Sequence, residues 1–299
     1  MGAIAAAKHA GQSLIRNPVI FVATLGLALV QVPQQVLQYS GLTIAGSLYS
    51  FATLAIAPLF TAGILSMAYE GMDDSTSLGT FVDGVREHYL TLFLSTVLYS
   101  AIFVAVGIAA MFLALFVGVF AFGVSAAAGS AGLVGLGLFV VFVAVIALAI
   151  IALSMVLQFY APAVVVDDAD IGESFKRSYR FATDNLASVV GFSIIKAIPG
   201  LFAGGAAVAL VLTRYYEQLA GEGFAGAPAT TGATMGAGAL YSGLSVTTFV
   251  AIVVLGIAST VLLSAFTQTY LVTFYVEQTD REQRGVRGYE EEYDLPSGY

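Results

Sequence analysis

Lys196 is the charged side chain that the sequence places near the middle of a predicted membrane helix beginning at Leu186. A charge at that depth costs about 2.5–3.5 kcal/mol, so an intramembrane ionisable residue is by default a candidate functional residue. No Asp or Glu lies in any predicted span to neutralise it. The lysine could contact an anionic ligand or a lipid headgroup, or it could snorkel to the interface as a structural residue.

Prolines with polar neighbours occur at similar depths in the first and fifth predicted spans. Gln31 and Gln34 flank Pro33, and Pro199 closely follows Lys196. Since proline removes a helical hydrogen bond, the sequence predicts helix kinks at both prolines. Interrupted helices at matching positions of repeats mark substrate sites in transporters, although kinks are also common without transport. The candidate ligand or lipid contacts are four polar side chains: Lys196, Gln31, Gln34 and Gln158.

Carboxylates and imidazoles are the remaining candidates for metal or acid–base chemistry. Asp167, Asp168 and Asp170 resemble the magnesium-binding acids of prenyl-transferring enzymes, but the second aspartate-rich motif of such enzymes is missing. The two histidines, His9 and His88, fall in separate parts of the chain, so we expect them to be solvated. The sequence therefore predicts no catalytic residue, no metal site and no cofactor, and a lipid-modifying enzyme is the weakest of three interpretations.

Long stretches without charge indicate which elements position these side chains. Asp, Glu, Lys and Arg are all missing from Asn17–Tyr69, Tyr89–Val166 and Gly223–Val276, and 59% of the chain is hydrophobic. Because a helix crosses the hydrocarbon with about 20 residues, each stretch is long enough for two crossings. The predicted fold is an all-α polytopic membrane protein with six transmembrane helices: Pro18–Tyr39, Ala45–Tyr69, Thr91–Phe122, Leu133–Val165, Leu186–Thr213 and Leu240–Val276.

The distribution of charge predicts the orientation of the spans. Most of the 11 basic residues fall in one set of connections: Lys8, Arg16, Arg86, Lys176, Arg177, Arg180, Arg281, Arg284 and Arg287. By the positive-inside rule this side is cytoplasmic, which predicts a multi-pass protein of the cell membrane with both termini inside. The 19 acidic residues outnumber the basic ones, which argues against nucleic acid as a partner. The absence of cysteine excludes disulfides and thiolate metal sites.

An amphipathic stretch precedes each odd-numbered predicted span. In the second and third stretches, apolar residues recur at helical spacing, at Leu78, Phe81, Val82, Val85 and Tyr89 and at Ile171, Phe175, Tyr179, Ala182 and Leu186. Such helices lie on the membrane surface. Their expected interfacial anchors are two aromatic and four basic residues: Phe81, Arg86, Phe175, Lys176, Arg177 and Arg180.

The amphipathic stretches define an internal repeat. A shift of 94 positions aligns Phe81 with Phe175, and a shift of 168 positions aligns Asn17 with Asn185. The predicted unit is a cytoplasmic amphipathic helix followed by a transmembrane hairpin, present three times in one orientation. Chance matching competes with this interpretation in so apolar a chain. The predicted domains are a six-span domain at 1–278, with repeats at about 1–70, 71–168 and 169–278, and a disordered acidic cytoplasmic tail at 279–299.

A family resemblance accompanies the repeat. The three copies of surface helix and hairpin are accompanied by two motifs ahead of a span, Ser174-Phe175-Lys176-Arg177-Ser178-Tyr179 and Asp184-Asn185-Leu186. In these features the chain resembles an uncharacterised family of six-helix haloarchaeal membrane proteins. That family is similar to the membrane domain attached to some glycerophosphodiester phosphodiesterases. The resemblance extends to about Gln278 and does not include the phosphodiesterase catalytic domain. It implies an architecture and transfers no catalytic residue.

The preferred function is a non-enzymatic membrane-organising or interaction module, acting alone or as a subunit of a complex. Its expected partners are membrane lipids and other membrane proteins. The alternative is a transporter or permease with a polar site near the kinked first and fifth spans. A solvated cavity that reaches Lys196 would favour transport, whereas a dry, close-packed centre would favour the module.

Overall fold

The computed structural model describes residues 2–127, 133–201 and 245–293, and this part of the chain is helical, as predicted. The first half contains α1 (Gly2–Arg16), α2 (Val19–Tyr39), α3 (Thr43–Asp73) and α4 (Leu78–Ala127). The second half contains α5 (Leu133–Leu157), α6 (Tyr160–Asp167), α7 (Ile171–Asp184), α8 (Leu186–Leu201 as far as described) and α9 (Val246–Tyr293). The predicted loop at 214–239, the rest of the fifth span and residues 294–299 lie outside the described residues.

Five described helices are long and apolar enough to cross a membrane. They are Val19–Tyr39, Ile44–Asp73, Leu78–Ala121, Val134–Asp167 and Val246–Arg281. A sixth span results if α7 and α8, which meet at an angle of 101°, are counted together. The chain is therefore a membrane protein by the length and composition of its helices. In addition, α9 continues as one helix across the predicted boundary between span and tail at Gln278.

The second amphipathic stretch differs from the prediction because it is not a separate surface helix. It continues into the third span as the single 50-residue helix α4, whose length is about 75 Å at 1.5 Å per residue. At the other two junctions the chain turns at Asn17 and at Asn185, whose amides compete with the helical backbone for hydrogen bonds. The shift of 94 positions places Thr91 where the third copy has Asn185. Without an asparagine or a proline at that position, α4 has no local signal to stop.

The fourth span is broken, and the residue that breaks it is Pro162. α5 ends at Leu157 and α6 begins at Tyr160, because Pro162 has no N–H to donate to the carbonyl four residues earlier. Ser178 of α7 closes this gap. Its hydroxyl accepts the N–H of Phe159 at 3.1 Å and donates to the carbonyl of Val156 at 2.7 Å.

The buried core lies at one end of the bundle, which we call the polar end. The polar end comprises α1, the α3–α4 turn at 74–77 and the α6–α7 turn at 168–170. Phe159 is fully buried there, with the rings of Phe181 and Phe192 at 4.6 and 5.4 Å. Phe274 and Tyr275 of α9 complete the cluster. By contrast, no residue in the most apolar stretches of α4 and α5 is buried by the described chain.

Each predicted surface segment packs against a span, and for α1 that span comes from a distant part of the sequence. α1 contacts the middle of α9, where the Tyr270 hydroxyl donates to the carbonyl of Ala3 at 2.9 Å. The start of α4 contacts α3 through Phe81, which lies over Gly63. α7 contacts α6, where Phe175 stacks on Tyr160 with 5.3 Å between ring centroids. The first helix and the last helix of the described chain are thereby joined.

Candidate functional sites

Lys196 and Gln158, two of the predicted ligand contacts, lie together. Lys196 Nζ donates to Gln158 Oε1 at 3.1 Å, and Gln158 Nε2 donates to Ser193 Oγ at 3.0 Å. The ammonium group also lies 5.8 Å from the ring centroid of Phe192. This polar triad of Lys196, Gln158 and Ser193 links α8 to the break between α5 and α6. The sequence did not predict Ser193, because serine is a common helix-packing residue in membranes and gives no signal.

The other two predicted contacts lie on α2 and bond elsewhere. Gln34 Nε2 donates to Ser50 Oγ of α3 at 3.0 Å. One turn earlier, the Tyr49 hydroxyl donates to the carbonyl of Val30 at 2.8 Å. Gln31 is partly buried, and in the described chain neither it nor Gln34 is hydrogen-bonded to the lysine of the polar triad. A shared ligand for all four residues therefore stays a prediction.

The two prolines expected to kink spans lie within continuous helices. α2 runs through Pro33 to Tyr39, and α8 runs through Pro199 to the last residue described before the gap. The described proline that interrupts a span is Pro162. A bend at Pro33 or at Pro199 stays a prediction.

A polar recess of about 340 Å³ opens between α1, α3 and α9 at the polar end. One face of α1 supplies four of its seven lining residues, since residues spaced three, four and seven apart lie on the same side of a helix. The lining residues are His9, Gln12, Ser13 and Arg16 of α1, Met72 and Asp73 of α3, and Thr273 of α9. Because these residues come from both ends of the sequence, the recess was not predicted.

The recess combines one unpaired cation, one unpaired anion and a buried hydroxyl. Thr273 is 1% exposed, and its Oγ1 has no hydrogen-bond partner. Within the described residues, neither Arg16 nor Asp73 forms an ion pair. His9 is occupied by Glu277, whose Oε1 lies 2.6 Å from its Nδ1. Since buried hydroxyls are normally hydrogen-bonded, the one supplied by Thr273 is suited to a polar ligand.

Asn17 fixes the wall of the recess. Its Nδ2 donates to the carbonyl of Gly71 at 3.1 Å, and its Oδ1 accepts the N–H of Thr76 at 3.0 Å. The hydroxyl of Ser13 donates to the same Gly71 carbonyl at 2.7 Å. With both Ser13 and Asn17 buried, these bonds hold the α1–α2 junction against the α3–α4 turn. The repeat comparison singled out Asn17, but it did not reveal this role.

The predicted aromatic anchors contact the protein, and both are partly buried. Phe81 lies 5.8 Å from the ring centroid of Phe60, and Phe175 stacks on Tyr160. Among the basic anchors, Lys176 is exposed. Contact of these anchors with a membrane surface stays a prediction.

The arginine anchors form ion pairs at the polar end. Arg177 pairs with Asp167 at 2.9 Å and with Glu173 at 3.3 Å, and Arg180 pairs with Glu173 at 2.9 Å. The hydrogen bond that Arg177 donates to the carboxylate of Asp167 raises the pKa of Arg177, which stays charged. The third arginine, Arg86, lies 3.9 Å from the carboxylate of Asp83 three residues earlier, and both side chains are largely exposed. Exposed pairs of this kind contribute little to stability.

The aspartates considered for Mg²⁺ do not form one cluster. Asp167 is occupied by Arg177 and by the hydroxyl of Tyr275, which donates to it at 2.6 Å. Asp170 caps α7 by accepting the N–H of Glu173 at 2.8 Å. The remaining acid of this segment, at position 168, lies toward α4. The cap and the ion pair therefore explain two of the three carboxylates.

The expected solvation is wrong for one of the two histidines. The side chain of His9 is 61% exposed, whereas His88 is only 8% exposed. Because α4 continues without a break, it brings His88 against the α6–α7 turn. Its Nδ1 lies 3.7 Å from Asp168 Oδ1, and its Nε2 lies 3.9 Å from Glu87 Oε2.

Comparison of the chain with curated proteins and with solved structures finds no match. A family model does match residues 1–278, the whole extent of the predicted six-span domain. Its description, a domain of unknown function, carries neither the haloarchaeal resemblance nor the likeness to the phosphodiesterase membrane domain, and both stay predictions. On this match the chain belongs to the family of the domain of unknown function DUF7847.

Proposed function

We propose that the protein is a non-enzymatic membrane-organising module that binds the headgroup of a phospholipid in the recess between α1, α3 and α9. The observation that carries the proposal is the recess itself, with an unpaired arginine at its wall and an unpaired buried hydroxyl from Thr273. We take the polar end as cytoplasmic, with six spans in three repeats. The packing of each surface segment against a span supports that arrangement.

The charges of the recess favour a phosphodiester over other anions. Arg16 offers a guanidinium group, which binds phosphate oxygens with two parallel hydrogen bonds. Asp73 lines the same recess and would repel a dianion, so a singly charged phosphodiester fits better than free phosphate. α1 leads directly into the span α2, which places Arg16 at the depth where headgroups lie. A lipid is therefore the occupant with the matching charge and position.

The hydrogen bonds around the recess support a binding role over a catalytic one. A nucleophilic serine needs a neighbouring base that accepts its proton. Ser13 instead donates its proton to the carbonyl of Gly71, and His9 is engaged by Glu277. Ser13 is thus not activated as a nucleophile, and this supports a binding role for the recess.

Replacing Arg16 by glutamine tests the proposal. We expect the R16Q protein in detergent to bind short-chain phosphatidylglycerol at least about tenfold more weakly, since a hydrogen bond to a charged group contributes about 1.5–3 kcal/mol. Thermal stabilisation as a function of lipid concentration measures the affinity. The matched control is R86Q, which removes an exposed arginine outside the recess. Equal lipid binding by R16Q and the unmodified protein would exclude the recess as the lipid site.

Transport is the second candidate, and the polar triad is the observation that favours it. Lys196 lies ten residues into α8, about 15 Å from its start, which is near the middle of a bilayer about 30 Å thick. A transport pathway would bring water to this triad. If the protein is a module with a dry centre, water does not reach the triad, and the triad only links the helices.

Because the chain has no cysteine, a single S193C substitution gives a specific probe of water at the triad. Serine and cysteine have similar shapes, so the fold should be retained. In proteoliposomes we expect S193C to stay unmodified by a water-soluble maleimide under conditions that modify Q12C in the recess. Modification of S193C at a rate near that of Q12C would establish an aqueous pathway and favour the transporter.

A further inference from the structure

The α6–α7 turn leaves one of its three aspartates available for a ligand. Asp167 is held by an arginine and a tyrosine, and Asp170 caps α7. Asp168 has neither role, and its side chain is 76% exposed. Its Oδ1 lies 3.7 Å from Nδ1 of His88, which belongs to α4. The turn therefore presents a carboxylate to a histidine from a distant part of the sequence.

His88 is a buried imidazole without a hydrogen bond from any described residue. The residue is 8% exposed, and its two nitrogens lie 3.7 Å from Asp168 and 3.9 Å from Glu87. Both distances exceed those of a hydrogen bond. A buried polar side chain that lacks such a partner calls for an explanation, and a bound ion is one of the standard ones.

We propose that Glu87, His88 and Asp168 bind a transition-metal dication of the Zn²⁺ or Mn²⁺ type. Each residue offers one ligand atom, and these atoms all lie within 4.8 Å of one another. A cation bonded at about 2.0–2.2 Å to nitrogen and oxygen needs only a small inward movement of the two exposed carboxylates. One imidazole with two carboxylates suits Zn²⁺ or Mn²⁺, whereas Mg²⁺ and Ca²⁺ prefer oxygen ligands alone.

The metal would connect the two ends of the second predicted repeat. Glu87 and His88 belong to α4, and Asp168 directly follows α6 in a left-handed backbone conformation with φ of 50°. A bound cation would therefore hold the start of the second hairpin against the segment that leads into the third. The site shares no residue with the recess, so the metal proposal and the lipid proposal can fail separately.

Titration of the metal-stripped full-length protein in detergent with ZnCl₂ and with MnCl₂ tests the site. Calorimetry should show one site per chain, with no comparable binding of MgCl₂. Changes to residues that only support metal ligands weaken metal binding by roughly 10- to 100-fold. H88Q and D168N each remove a ligand, so each should weaken metal binding by more than that. Substitution by Co²⁺ should give the visible absorption of a nitrogen-ligated ion, and H88Q should lose it.

The other histidine of the chain provides a matched control. H9Q removes an exposed imidazole that also has a carboxylate neighbour, and it should bind the metal like the unmodified protein. If H88Q does not fold, E87Q and D168N serve instead, because both side chains are exposed. Failure of the unmodified protein to bind either metal, or equal binding by D168N, would overturn the proposal and leave His88 as an ion-pair partner of the two acids.

Discussion

Ser178 shows how one buried hydroxyl can hold the two halves of a broken span together. Pro162 leaves a gap in the backbone hydrogen bonding of the fourth span, and Ser178 contacts both sides of that gap. Its side chain is fully buried beside Phe159, the central ring of the aromatic cluster. The serine therefore positions the cluster as well as the break.

Replacing Ser178 by alanine should lower the free energy of unfolding by about 1–3 kcal/mol, because the N–H of Phe159 and the carbonyl of Val156 would both lose their partner in a buried place. Thermal unfolding in detergent, followed by circular dichroism, measures the change. S174A is a matched control, since Ser174 is equally buried on the same helix but bonds only to the carbonyl of Ile171 within its own turn. Similar losses of stability in the two variants would contradict a bridging role.

The candidate residues that the sequence predicted are those whose type is unusual for their surroundings. Lys196 and Gln158 are both polar residues in apolar stretches, so each was a candidate, and the structure joins them by a hydrogen bond. Ser193 and Thr273 were missed because hydroxyl side chains are ordinary in membrane helices. His88 was assigned the wrong environment, because its burial depends on a turn 80 residues away. Residue type thus identifies candidates, but not the partners that distant elements supply.

At the scale of elements, the positions of the spans were predicted better than their continuity. Charge-free stretches locate helices because a charge in hydrocarbon is costly whatever the neighbours are. Whether a helix stops depends on weaker local signals. α4 runs through the predicted junction at Thr91, whereas the junctions at Asn17 and Asn185 turn. The break at Pro162 follows from the missing N–H, but its exact place depends on the serine that α7 brings to it.

Burial is also uneven at this scale. The core is formed by α1, α6, α7, the last part of α3 and the middle of α9, whereas the most apolar stretches of α4 and α5 have no residue buried by the described chain. In water such surfaces would aggregate, but in a bilayer they need no protein partner, because lipid tails solvate them as well as leucine does. Hydropathy therefore predicts where these helices lie and gives no information on their packing. The buried core of the described chain lies at its polar end.

The first and last helices of the described chain are in contact. α1 packs against the middle of α9 as the start of α4 packs against α3 and as α7 packs against α6. In the three-repeat scheme, each surface segment thus packs against the second span of the preceding repeat, and the first segment returns to the last span. Such a ring needs all three segments on the same side of the membrane. If the resemblance among the segments arose by chance, the three segments would not need to lie on the same side of the membrane.

Single cysteines in this naturally cysteine-free chain can test that demand. Lys8, Arg86 and Lys176 are exposed residues, one in each segment, and Leu42 is an exposed residue in the turn between α2 and α3. In sealed right-side-out vesicles we expect a membrane-impermeant maleimide to modify L42C at once, and K8C, R86C and K176C only after the vesicles are opened, because the positive-inside rule places the basic segments inside. If L42C were protected and all three basic positions reacted, the orientation would be the reverse of the predicted one, and the three segments would still lie on one side of the membrane. Reaction of K8C and K176C from opposite sides would exclude the ring, since α1 and α7 could then not occupy equivalent places at the polar end.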